Sequence, residues 1–172
     1  MPTATLSRFA PIVVPQLRLA LGYAAKLVAD VPADRFAHMP APKVNHPAFN
    51  IGHLAIYPER VLEVVGRREL AAPDERFVEL FKAGTPCVEQ DGRYPAKDEI
   101  MKRFNGRWEL VAATLPEIPD ERFAEANPLE GRMRELLPTI GAMVNFLCGS
   151  HLQMHLGQVS VWRRLMGLGP VI

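Results

Sequence analysis

Charge of one sign is what this 172-residue sequence most plainly lacks: 20 lysines and arginines stand against 19 aspartates and glutamates, intermixed, for a net charge of +1. Such a balance offers no basic face to nucleic acid and no polybasic run to an anionic membrane surface. Cysteine is scarce as well, with only Cys87 and Cys148. A chain of this length does not need a disulfide staple, and so few thiols point to a reducing compartment. The opening stretch, M-P-T-A-T-L-S-R-F-A-P-I-V-V-P, lacks a basic start followed by an apolar segment. No unbroken apolar run reaches about 18 residues. Internal repeats, low-complexity tracts, linkers and strand pairs with hairpin turns are also missing. The expectation is a cytoplasmic protein made of one domain over residues 1–172.

What is present is apolar patterning of helical period. The apolar fraction is 48% and the charged fraction 23%, ordinary values for a globular chain able to bury a core. Val14, Leu17, Leu21, Ala24 and Val28 recur at helical spacing and predict a helix over 11–28, with Pro15 tolerable only near its start. The triplet N-H-P at 45–47 supplies a capping side chain and a first-turn proline, so a second helix is expected from Asn45 or His46 to Gly66. Pro58 removes the bond to the Leu54 carbonyl and should kink that helix just past His53. A short helix is expected over 74–82 and a third long one over 97–115, where Ile100, Phe104, Trp108, Val111 and Leu115 share a face. A long connection over 118–138 follows, and Thr139 caps the last helix. Four long helices with long connections make an all-α four-helix bundle, with room for a crossover in place of simple up-and-down order.

The stretch 144–167 carries the chemistry. His151 and His155 lie four residues apart in H-L-Q-M-H, so on a helix they point the same way, and they interrupt a stripe that should be buried. A buried imidazole needs a hydrogen-bond partner or a metal. The bland alternative is a pair of core histidines satisfied by neighbours. His53 is a third histidine on a core-facing stripe, on another helix, whereas His38 falls in a proline-rich connection and is expected at the surface.

With N-H-P-A-F-N-I-G-H-L-A at 45–55 and G-S-H-L-Q-M-H-L-G-Q-V-S-V-W-R-R-L-M-G-L at 149–168, the chain resembles the DinB-like superfamily, including its DinB and YfiT-type branches. The resemblance implies a four-helix bundle in which His53, His151 and His155 hold a divalent metal, nickel or zinc. It also implies activities such as thiol S-transfer with bacillithiol, mycothiol or glutathione, a related hydrolysis, or isomerisation. A homodimer acting on a small molecule is the associated expectation. Three imidazoles from two helices match the ligand count of a catalytic site with open positions. The absence of a glutamate in H-L-Q-M-H argues against metalloprotease chemistry.

Neighbouring residues carry two readings each. Gln158 can reach a metal or end the bundle, and Cys148 can be a soft ligand or a small core residue. Tyr57 can donate a proton or only pack, and Asn50 can orient an imidazole or face solvent. Arg163 and Arg164 can meet an anionic substrate or form a solvated face. Two functions stay open: a metal-dependent enzyme, or a non-catalytic metal-binding or stress-response module in which the ion is structural. A metal-free bundle with three mutually bonded histidines is the third possibility.

Overall fold

In the computed structural model, which describes residues 7–171, the chain is all-helical. The first six residues of the N-terminal stretch expected to lack a leader, 1–6, lie outside the described residues. The long elements are α1 (Ala10–Ala29), α2 (Pro47–Leu54), α3 (Tyr57–Val64) and α5 (Lys97–Thr114), with short α4 (Glu75–Phe81) before α5. Then come α6 (Asp120–Ala124), α7 (Arg132–Leu136), α8 (Ile140–Asn145) and α9 (His151–Leu165). No strand occurs among the described residues beyond an isolated bridge between Ala126 and Thr139.

Four rods result: α1, α2 with α3, α5, and α8 with α9. α1 packs against α5 and α9, and α2 packs against the same two, closing a ring in the order first, fourth, second, third. Rods consecutive in sequence, the first and second or the third and fourth, therefore sit diagonally. The long connections 30–46 and 115–139 make those crossings, as a crossover topology requires.

The expected kink at Pro58 is a full break. α2 stops at Leu54, Ala55 and Ile56 form a turn, and α3 restarts with Pro58 in its first turn. The Leu54 carbonyl that Pro58 leaves without a donor accepts from the buried Trp108 Nε1 at 3.1 Å, so the break costs no unsatisfied acceptor. His46, one of the two candidates, caps α2: its Nδ1 accepts from the Phe49 amide at 3.1 Å. All eight residues of α2 are buried, so it is enclosed on every side.

α3 and α5 are fastened through Glu59. Glu59 is buried, and its carboxylate accepts from Arg107 at 2.7 and 2.6 Å and takes the Ala72 amide at 2.8 Å. The last rod is interrupted by a π-helical turn, Phe146–Ser150, directly before His151. Such a wide turn shifts every later side chain relative to a straight α-helix.

As expected, no unbroken apolar run reaches membrane-spanning length; α1, with Arg18 and Lys26 as its only charges, is long and apolar enough by length and composition alone, a property that core helices share. Its inner face, including Leu17, Ala20, Ala24 and Leu27, is buried in the bundle core. Ile12 and Leu19 on its outer face are 72% and 70% exposed.

Candidate metal centre

α2 and α9 lie side by side, and their contact brings the three histidines together. The ring centroids are 4.6 Å apart for His53 and His155, 4.9 Å for His151 and His155, and 5.3 Å for His53 and His151. One ligand atom from each lies within 4.8 Å of those from the other two, an arrangement able to hold a metal ion. No fourth histidine, cysteine or acid joins the cluster among the described residues.

Two of the rings are fixed through Nδ1. His53 Nδ1 donates to the Phe81 carbonyl at 2.6 Å, an acceptor left free because Phe81 ends α4. Phe81 reaches α2 only because residue 52 is glycine: a Cβ there would stand 2.5 Å from the Phe81 ring. His155 Nδ1 donates to Asn50 Oδ1 at 3.1 Å. Asn50 is itself oriented, since its Nδ2 donates to the Asn45 carbonyl at 3.2 Å, which turns the amide oxygen toward His155. Both bonds put the ring proton on Nδ1 and leave the Nε2 lone pair for a cation, the arrangement that outer partners of metal-binding histidines impose.

His151 Nδ1 is buried and has no hydrogen-bond partner among the described residues. An orphaned polar atom of that kind costs about 1–3 kcal/mol, and coordination through it would remove the deficit. None of the three rings is hydrogen-bonded to another among the described residues, so the expected alternative of mutually bonded histidines is not the arrangement here. All three are kept neutral. Burial pushes His151 down to about 3, with the neighbouring His155 and His53 adding to the effect. Burial, then His53, brings His155 to about 4, and burial lowers His53 too. Neutral imidazole is the form that ligates.

A cleft of about 400 Å³ opens onto His53 and His151. One wall is Met143, Phe146 and Leu147 at the π turn; the facing wall is Leu129, Met133 and Leu137, from the connection and α7. The other polar groups in it are Tyr57 and Arg60 of α3. Two further surface hollows, one between α1 and α9 and one beside Lys43, contain none of the three histidines.

The remaining residues singled out in the sequence divide cleanly. Asn50 does orient His155. Tyr57 packs with ring centroids 5.0 Å from His53 and 4.5 Å from His151, at the cleft edge. Gln158 is exposed and accepts from Asn45 Nδ2 at 3.3 Å, outside the cluster. Cys148 is fully buried in the core, its thiol pushed well above the usual range by burial. Arg163 is buried, where it pairs with Asp30 and donates to the Leu27 carbonyl at 2.7 Å, while Arg164 is exposed. His38 is half-buried and meets Glu89 at 2.8 Å, away from the cluster. Missed in the sequence were the Phe81 carbonyl, Gly52 and Arg60. Only the glycine, set inside a helix that buries every side chain, left a trace that could have been read.

The family model described as DinB superfamily matches residues 16–159, a span that includes α2, the cleft walls and all three histidines. No curated protein and no solved structure matches the sequence. Because the family match covers most of the chain and takes in the helices that carry the histidine cluster, this protein belongs to the DinB superfamily.

Proposed function

We propose that His53, His151 and His155 ligate a divalent ion, nickel or zinc, and that the protein is a metal-dependent enzyme acting on a small molecule, with thiol S-transfer as the leading reaction and hydrolysis as its relative. The observation that carries the reading is a cluster of three neutral imidazoles, two with Nδ1 already committed, of which His53 and His151 face an apolar cleft. A divalent ion so held lowers the pKa of a coordinated thiol or water and keeps a nucleophile available near neutral pH. The chain's own residues supply the rest. Phe81 and Asn50 fix two rings, the walls of Leu129, Leu137, Met143 and Leu147 limit water, and Tyr57 presents a hydroxyl that burial keeps protonated and able to donate.

The alternative is a structural ion in a non-catalytic binding or stress-response module, favoured by the ligands' coming from two separate rods. An open ligand set beside a cleft supports the enzyme better than a closed four-ligand site would have. The homodimer belongs to the same proposal: the apolar outer face of α1 at Ile12 and Leu19 suits a second copy. A cytoplasmic setting agrees with the two free cysteines.

The test is elemental analysis of protein purified without a metal-affinity tag, beside His155→Ala. Stoichiometric nickel or zinc in the parent and its loss in the variant are expected; equal metal in both would remove His155 from the ligand set. Transfer of glutathione, bacillithiol or mycothiol to an electrophilic dye should be faster in metal-loaded than in chelated protein. Equal rates would leave the structural reading.

A further inference from the structure

The histidines do not account for the other two polar side chains in the cleft. Tyr57 and Arg60 lie three residues apart on α3, on one helical face, and both line the cavity beside His53 and His151. Neither the Tyr57 hydroxyl nor the Arg60 guanidinium has a hydrogen bond or ion pair among the described residues. The carboxylate adjoining Arg60 in sequence is committed elsewhere, because Glu59 is taken by Arg107 at 2.6 Å. No aspartate or glutamate lines the cleft. Its polar end therefore holds one fixed positive charge, a phenol and neutral imidazoles, and its walls are leucine, methionine and phenylalanine.

We propose that this cleft takes a substrate with an apolar body and a terminal carboxylate, the carboxylate held by Arg60 with the Tyr57 hydroxyl as second donor. A guanidinium presents paired donors that match the two carboxylate oxygens, and a pairing of charged groups at the rim of an apolar hollow is stronger than one in open water. A cleft of about 400 Å³ lies in the size range of small-molecule sites. An ammonium group meets no counter-charge there, and a neutral isostere fills the apolar walls but leaves Arg60 unpaired. The inference rests on the metal reading only for where the reacting end of the substrate lies; the clamp itself needs no ion.

Calorimetric titration of the purified protein with phenylbutyrate and with phenylbutyramide tests it. The acid should bind about tenfold more tightly than the amide, the worth of one charge-assisted contact. Arg60→Gln should bring the acid down to the amide's affinity and leave the amide unchanged, and Tyr57→Phe should lose part of the preference. Arg60 is exposed, so the variant is expected to melt with the parent, which circular dichroism verifies. In His155→Ala the acid preference should persist even if the metal is lost, so failure of the metal reading leaves the clamp standing. A preference that survives Arg60→Gln but vanishes in His155→Ala would put the carboxylate on the ion and overturn the clamp while supporting the metal. Absence of binding by either probe would overturn the cleft assignment.

Discussion

His46 differs from His151 in that both of its ring nitrogens are occupied: Nδ1 accepts from the Phe49 amide, and Nε2 donates to the Val88 carbonyl at 2.9 Å. That is how a buried histidine is settled without an ion, and His151, also buried, has no such arrangement. The consequence is visible in acid. The folded protein resists protonation of His151 and His155, held at about 3 and about 4 by burial, whereas the unfolded chain titrates near the ordinary 6.5. Above pH 6.5 both states are neutral at these groups and they contribute no pH dependence. Below it the unfolded chain binds more protons, so stability falls as pH drops from 6.5 toward 4. Thermal melts of chelated protein should show that decline, and His151→Gln should flatten it; a melt unaffected by the substitution would mean the ring is not held neutral. Orientation is a separate matter. Asn50→Leu keeps the volume but removes the acceptor for His155 Nδ1, and metal affinity should drop about 10–100-fold in a competition assay, the usual cost of losing an outer partner. Unchanged affinity would show that Asn50 has no part in the site. That His151 and His155 share a face was legible in the sequence, because helical spacing alone puts one over the other, whereas for Asn50 the sequence left an orienting role and exposure to solvent equally open. Arg60 was not legible, because an exposed arginine on an amphipathic helix looks like any solvated charge until the cavity beside it is known.

Among the elements, α2 is the one whose sequence says least and whose position does most. The cap, the first-turn proline and a kink ahead of Pro58 were readable, since each follows from local backbone chemistry, but not that the kink is a full break. Burial on every side was not, because a helix of eight residues is too short for periodicity to separate two-sided from one-sided contact. The same holds for the π turn: nothing in F-L-C-G-S distinguishes it from α-helix, and it arises where Gly149 admits the Gln16 side chain, which bonds Asn145 at 3.0 Å. α4, expected only as a short amphipathic piece, turns out to lend its terminal carbonyl to His53. Gly52 is what joins α2 to α4. Gly52→Ala would drive a methyl into the fully buried Phe81 ring and is expected to cost about 1–3 kcal/mol, as overpacked cores do. By displacing Phe81 it should also weaken the bond that fixes His53, lowering metal affinity more than Ile51→Ala would. Adding Phe81→Leu should restore part of the melting temperature, and an undiminished melt in the single variant would show that the two helices have slack.

For the whole molecule, the all-α class and the long rods could be read from apolar period, and the long connections allowed a crossover without specifying it. The order around the ring could not be read, because each rod presents an apolar face that suits any of the others and only the complete set of contacts selects neighbours. That selection matters: it places α9 beside α2 and not beside α5, and so unites His53 with His151 and His155 from the far end of the sequence. An ion at that point would tie the second rod to the fourth, binding the folded state alone, since the unfolded chain holds the two rods' ligands far apart. Linkage then fixes the size of the effect. With free metal at about a hundredfold above its dissociation constant, the folded state gains about 2.7 kcal/mol. For a chain of this length that raises Tm by roughly 5–11 °C. Scanning calorimetry of nickel- or zinc-loaded protein against chelated protein measures it directly. The gain should disappear in His155→Ala, read against that variant's own chelated form, because the truncation also leaves the buried Asn50 Oδ1 without its donor. A chelator that leaves the parent's melt unmoved would show that no ion bridges the rods, and the three imidazoles would then have to be explained by the cleft alone.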